Sequence, residues 1–286
     1  MLKDFANLIK FKVNVVVVFT SILGYLIASK GIGIEVNEIL GLSLGGFFTT
    51  GASHAINQLL ERKYDSRMER TKDRPLPSGR MSVKEVIFYA LLMVAAGYFS
   101  FSTFNNGLTL FLGMFSMVFY SFLYTPMKRV NSIAVAFGAV PGALPPTIGY
   151  IAFTDQIDKF AILLFIIQFI WQFPHFWSIA WIYFDDYNNG GYRLMPVDKF
   201  RSKRNAMFTF FSAMLIVPFI FLILMTGFVN IFWFLLILFI TVFFILRAFL
   251  FFRNPDDKMA KKLMLSSIIY LPVLLIIILL ANWTIN

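Results

Sequence analysis

Nine stretches of roughly 20 residues, almost free of charge, divide this 286-residue chain and restrict the folds open to it. A bilayer's hydrocarbon core is about 30 Å thick, and a helix rising about 1.5 Å per residue crosses it in roughly 20 residues. The stretches lie near 13–29, 39–60, 83–102, 106–124, 131–153, 160–184, 205–226, 229–252 and 263–283. The second is the most polar, because His54, Asn57 and Gln58 fall near its end. A hydrophobic content of 59% against a charged fraction of 14% excludes an ordinary soluble domain. The expected fold is an all-α integral membrane protein, about nine transmembrane helices around a central cavity, in one domain over residues 1–286.

The cations set the orientation. Of 25 Lys and Arg residues, only Lys30 and Lys159 fall outside one alternating set of segments. That is the positive-inside pattern, so the N-terminus and the cation-rich loops are expected in the cytoplasm. The net charge of +10 is therefore spread over membrane-flanking loops, and nucleic acid is not an expected partner. Cysteine is absent, which excludes disulfides and thiolate metal sites. Residues 13–28 read as a span rather than a cleavable secretory signal.

The densest run of charge, residues 57–82, follows directly on the second span. Asn57, Glu61 and Asp65 recur every four residues, so each is turned only about 40° from the last on a helix. Three oxygen-bearing side chains would then share one face at a membrane surface. Arg70, Arg74 and Arg80 follow, with Pro75 and Pro77 ending any helix. Carboxylates beside clustered guanidinium groups suit a magnesium-bound phosphate.

A second polar stretch covers residues 168–197. At 100° per residue, Gln168, Gln172, His175 and Asp186 fall within about 60° of one another. Lipid cannot satisfy such a stripe, so it should face protein or a cavity. Asp185 and Asp186 close the stripe, and Pro174 is placed to kink it. The two acidic segments stand four spans apart, a spacing that hints at a duplicated unit. Residues 124–129 (YTPMKR) add Lys128 and Arg129, either membrane-surface anchors or holders of phosphate oxygens. Residues 138–150 carry Pro141, Pro145 and Pro146, which should break or bend the fifth span and shape a pocket. His54 and His175 each read as a buried hydrogen-bonded histidine or a ligand contact, with His175 the better ligand candidate. Most of the 36 Phe serve lipid and packing, while a few lining a cavity would steady a carbocation.

Together these motifs resemble the UbiA superfamily of intramembrane prenyltransferases, and within it the heme O synthase (protoheme IX farnesyltransferase) branch. The resemblance rests on Asn57-x3-Glu61-x3-Asp65 with Arg70, Arg74, Pro75 and Gly79, on residues 124–129 and 142–150 (GALPPTIGY), and on Pro174–His175, Asp186–Tyr187 and Met195–Pro196–Val197. It implies transfer of farnesyl from farnesyl diphosphate to a vinyl group of protoheme IX, with Mg²⁺ as cofactor and heme B as substrate. By the same resemblance Asn57, Glu61, Asp65 and Asp186 are catalytic, and with Asp185 they hold the metal. Arg70, Arg74, Lys128, Arg129, Gln172, His175 and Tyr187 would contact substrate. It further implies a bacterial cytoplasmic membrane, and heme-copper oxidase assembly or heme A synthase proteins as partners. Glu61 stands where Asp is usual in the family, Asp185 where a basic residue is common, and Arg193 where proline is common. Two rivals are a UbiA-type enzyme acting on 4-hydroxybenzoate or a related quinone precursor, and a secondary transporter of an anionic metabolite. A transporter would place its ligand residues near the bilayer midplane rather than at one surface.

Overall fold

The computed structural model describes residues 2–284, and among these there is no strand. Helix α1 (Leu2–Leu8) precedes α2 (Phe11–Ser29), α3 (Val36–Asp65), α4 (Val83–Phe104) and α5 (Gly107–Met127). Then come α6 (Ala134–Thr154), α7 (Lys159–Ile182), a short α8 (Phe184–Asn189), α9 (Lys203–Met225), α10 (Ile231–Arg253) and α11 (Asp257–Thr284). All but α1 and α8 are long and apolar enough to cross a membrane, nine spans among the described residues. Polar side chains fix several helix starts. Ser82 and Glu85 form a reciprocal capping box on α4, and Asn106, Asp158, Ser202 and Asn230 cap α5, α7, α9 and α10.

Helix α6 is the centre of the bundle. Of its most apolar stretch 78% is buried, against 50% for the next most enclosed span, α3. It packs on α2 and α7, while α2 continues onto α3, and α11 touches α7, α10 and α2. The ring closes where Asn282 Nδ2 donates to the Ile27 carbonyl at 2.7 Å. Contact between α2 and α6 is at backbone distance. A Cβ on Gly149 would lie 1.7 Å from the Ser21 carbonyl oxygen, and one on Gly24 would lie 1.9 Å from that of Pro146. Small residues in this pattern let two membrane helices approach closely.

Of the two effects expected of the prolines of residues 138–150, a break does not occur, since α6 runs unbroken from Ala134 to Thr154. Prolines at 145 and 146 have no N–H to give the carbonyls of Pro141 and Gly142, four residues back. Neighbouring helices supply the missing donors. Gln168 Nε2 donates to the Gly142 carbonyl at 2.8 Å and Ser116 Oγ to that of Pro141 at 3.4 Å. Gln172 Nε2 donates to the nearby Ala139 carbonyl at 2.9 Å. The glutamines of the polar stripe are thus engaged by the proline-rich helix beside them.

Candidate active site

Helix α3 extends to Asp65, five residues past the end expected for the second span, and carries Asn57, Glu61 and Asp65 on its last turns. All three are nearly inaccessible, at 1%, 4% and 0% exposure. Asn57 Nδ2 donates to Glu61 Oε2 at 2.9 Å and to Thr125 Oγ1 at 3.0 Å. Thr125 is brought there by the end of α5, where residues Phe119–Tyr124 form a π-helical turn. Its hydroxyl donates to the Tyr120 carbonyl at 2.9 Å. Such turns re-aim the side chains that follow them.

Cations answer the acids one for one. Lys128 Nζ lies 2.9 Å from Glu61 Oε1 and 3.1 Å from Oε2. Arg74 Nη1 meets Asp65 Oδ2 at 2.7 Å. Burial alone would lower the Lys128 ammonium, but the Glu61 carboxylate holds it above its ordinary value. Arg70 lies over the Tyr183 and Tyr187 rings, 5.2 and 5.3 Å from their centroids, with Nη2 3.3 Å from the Tyr187 hydroxyl. These groups line a cavity of about 140 Å³ that Lys10 also borders, so four cations face two carboxylates. A net positive, largely enclosed cavity attracts a polyanion.

In this cluster Asn57 Oδ1 and Asp65 Oδ1 are buried without a hydrogen-bond partner. Hard oxygen donors left unsatisfied beside a cavity fit Mg²⁺, which takes few protein ligands and keeps water and phosphate oxygens. Among the described residues no three His, Cys, Asp or Glu side chains form a ready cage. A divalent ion here would rely on Asn57 as well as the acids and would fit together with phosphate rather than alone.

The second acidic segment reaches the same end of the bundle differently than periodicity implied. Helix α7 ends at Ile182 and α8 starts anew at Phe184, so Asp186 does not continue the stripe of Gln168 and Gln172. Its carboxylate accepts from the backbone N–H of Glu69 at 2.6 Å and of Arg70 at 3.2 Å. Asp186 therefore fastens the loop after α3. Asp185 is exposed and paired with Arg201 at 3.0 Å. Tyr187 borders the cavity, whereas Arg129 lies against the Tyr64 ring at 4.5 Å and does not. Pro174 lies inside an unbroken α7.

The two histidines differ in their surroundings. His175 has a partner, with Nδ1 2.8 Å from Ser267 Oγ and its ring stacked 4.8 Å from Trp171. His54 is buried edge-on to Tyr120, and neither ring nitrogen has a hydrogen-bond partner. Sequence reasoning passed over Tyr120, Thr125, Tyr192 and Lys10 as site residues. Thr125 lies inside the motif of residues 124–129 and was within reach of it. Nothing in the local pattern distinguishes Tyr192 or Lys10.

The sequence profile of the UbiA prenyltransferase family matches residues 17–281. The chain belongs to this family. Among relatives, the protoheme IX farnesyltransferase of Cytophaga hutchinsonii is 38% identical over 267 residues, covering 93% of each chain. That of Flavobacterium psychrophilum is 37% identical over 285 residues, covering 96% of this chain and 92% of its own. The UbiA fold is shared with a digeranylgeranylglyceryl phosphate synthase at a TM-score of 0.79 and 20% identity, covering 99% of both chains. A UbiA homolog from Archaeoglobus fulgidus bound to GPP and Mg²⁺ aligns at a TM-score of 0.67 and 15% identity over 96% of this chain and 99% of its own. The protein is accordingly a multi-span membrane transferase, with the charged cavity at one end of its UbiA bundle.

Proposed function

We propose that this protein transfers the farnesyl group of farnesyl diphosphate to a vinyl group of protoheme IX, giving heme O. The observation that carries the diphosphate half is the enclosed cavity at the end of α3, where Lys10, Arg70, Arg74 and Lys128 outnumber Glu61 and Asp65. The relatives of 37–38% identity, named for this transfer, support the acceptor. The lysine and arginine distribution supports a cytoplasmic-facing site, and the bacterial relatives support a bacterial inner membrane.

Asn57, Glu61 and Asp65 would hold Mg²⁺, which when bound neutralises phosphate charge and makes diphosphate a better leaving group. Arg70, Arg74 and Lys128 offset the negative charge that grows on the departing oxygen. Asp186 positions Arg70 for this by holding the backbone of residues 69 and 70. Tyr120, Tyr124 and Phe176 border the same cavity and offer π density to the allylic cation. Burial, reinforced by the charges of Glu61 and Asp65, pushes the Tyr192 phenol up, so it stays neutral beside the anion. In balance, the C–O bond to diphosphate breaks and the terminal vinyl carbon bonds to the farnesyl C1. Water then adds to the porphyrin-side carbon and loses a proton.

His175 is suited to the porphyrin iron. Ser267 Oγ donates to the Met264 carbonyl at 2.6 Å, so the His175 Nδ1–H donates to Ser267 and Nε2 keeps its lone pair. The competing acceptor is an aromatic acid. Purified protein given farnesyl diphosphate and Mg²⁺ is expected to prenylate protoheme IX and leave 4-hydroxybenzoate unchanged when the two are offered in parallel. Prenylated 4-hydroxybenzoate with unchanged heme would keep the fold and overturn the acceptor.

A further inference from the structure

Lys10 forms the joint between α1 and α2. Its backbone φ is 47°, a left-handed conformation that a non-glycine residue adopts at a cost of roughly 1–2 kcal/mol. The joint is held from several sides. Leu8 and Ile9 are fully buried. Gln58, next to Asn57 on α3, donates from Nε2 to the carbonyls of Asn7 at 3.1 Å and Leu8 at 2.8 Å. Arg80 Nε binds Asp4 at 2.8 Å and ties α1 to the loop after α3. Held this way, the half-buried Lys10 borders the cavity of Asn57, Glu61 and Asp65, more than 45 residues away in the chain.

The cavity's other cations are engaged. Arg74 has Asp65, Lys128 has Glu61, and Arg70 has the tyrosines. The Lys10 side chain makes no hydrogen bond or ion pair among the described residues, and its ammonium feels Arg74, Lys128 and Arg70 as repulsion and Glu61 as attraction. Enclosure and those cations hold its ammonium well below the ordinary lysine range. A strained, clamped backbone that delivers a cation without an ion-pair partner into a positive cavity makes physical sense when a polyanion arrives there.

We propose that Lys10 binds a phosphate oxygen of the prenyl diphosphate, with the α1–α2 joint acting as the arm that presents it. The inference rests on the diphosphate reading of the cavity, and it adds a residue outside the segment, 17–281, that the family profile matches.

The test is calorimetric titration of the purified full-length protein with farnesyl diphosphate and Mg²⁺, no heme being present. Lys10→Met is expected to weaken binding roughly 10- to 100-fold, the loss typical of a charge-assisted hydrogen bond. Lys10→Arg should restore most of it. Lys12→Met, two residues on and exposed, should bind like the wild type. Thermal unfolding identifies a variant that has lost its fold, in which case Lys10→Gln takes its place. Unchanged affinity in folded Lys10→Met, or an equal loss in Lys12→Met, would overturn the proposal. A wild type that binds no farnesyl diphosphate would instead remove the diphosphate reading itself.

Discussion

Asp65→Asn is expected to release diphosphate at least about 100-fold more slowly than the wild type, with its fold intact. Asp65 is completely buried, and one oxygen is spent on Arg74 while the other is unpartnered at the cavity. Asparagine keeps the shape and an acceptor for Arg74 but removes the charge that a divalent cation needs. Asp65→Ala goes further, because it leaves the Arg74 guanidinium without its partner. Loss of one member of a buried pair typically costs about 3–5 kcal/mol, so alanine should lower the unfolding temperature as well. Diphosphate release and thermal unfolding, measured on both variants, separate the chemical loss from the structural one. Near-normal release by Asp65→Asn would remove Asp65 from the metal site.

The largest effect on stability is expected at Gly149, far from the charged cavity. Its missing Cβ is occupied by the Ser21 carbonyl at 1.7 Å and the Tyr25 nitrogen at 3.0 Å, both backbone atoms of α2. A side chain cannot rotate away from a helix backbone. The helices would have to part, and Gly24 against Pro146 would lose its contact in the same movement. Gly149→Ala should therefore destabilise by about 3 kcal/mol or more, at or beyond the usual range for overpacking. Gly107→Ala serves as the control, since nothing lies within 4 Å of the Cβ position there. Thermal unfolding in detergent reads both. An unfolding temperature for Gly149→Ala equal to that of Gly107→Ala would contradict the close α2–α6 packing.

The helices were legible because lipid enforces a simple rule, long apolar runs with cations between them. The face of Asn57, Glu61 and Asp65 was legible because helical spacing survives to the end of α3. Other features depend on neighbours that no local pattern reveals. Pro145 and Pro146 stay within a continuous helix because Ser116 and Gln168 serve the carbonyls that their ring nitrogens cannot. Gln172, on the same face as Gln168, donates its Nε2 to the Ala139 carbonyl. Helical spacing does not carry past Tyr183, where the helix ends, so the sequence pattern does not reveal that Asp186 anchors the Glu69 and Arg70 backbone. Lys10 reads as one more flanking cation. Contacts distant in the chain, the Gln58 clamp and the Arg80–Asp4 pair, hold the joint that turns it inward.

The most direct test of the central claim is the mass of the heme recovered from purified protein, farnesyl diphosphate and protoheme IX, with Mg²⁺ present and with Mg²⁺ chelated. The account predicts a heme that has gained one farnesyl group and one water with the metal, and unchanged heme without it. Farnesylated heme formed equally well after chelation would contradict the metal-assisted site at the end of α3. Unchanged heme under both conditions would contradict the transfer itself.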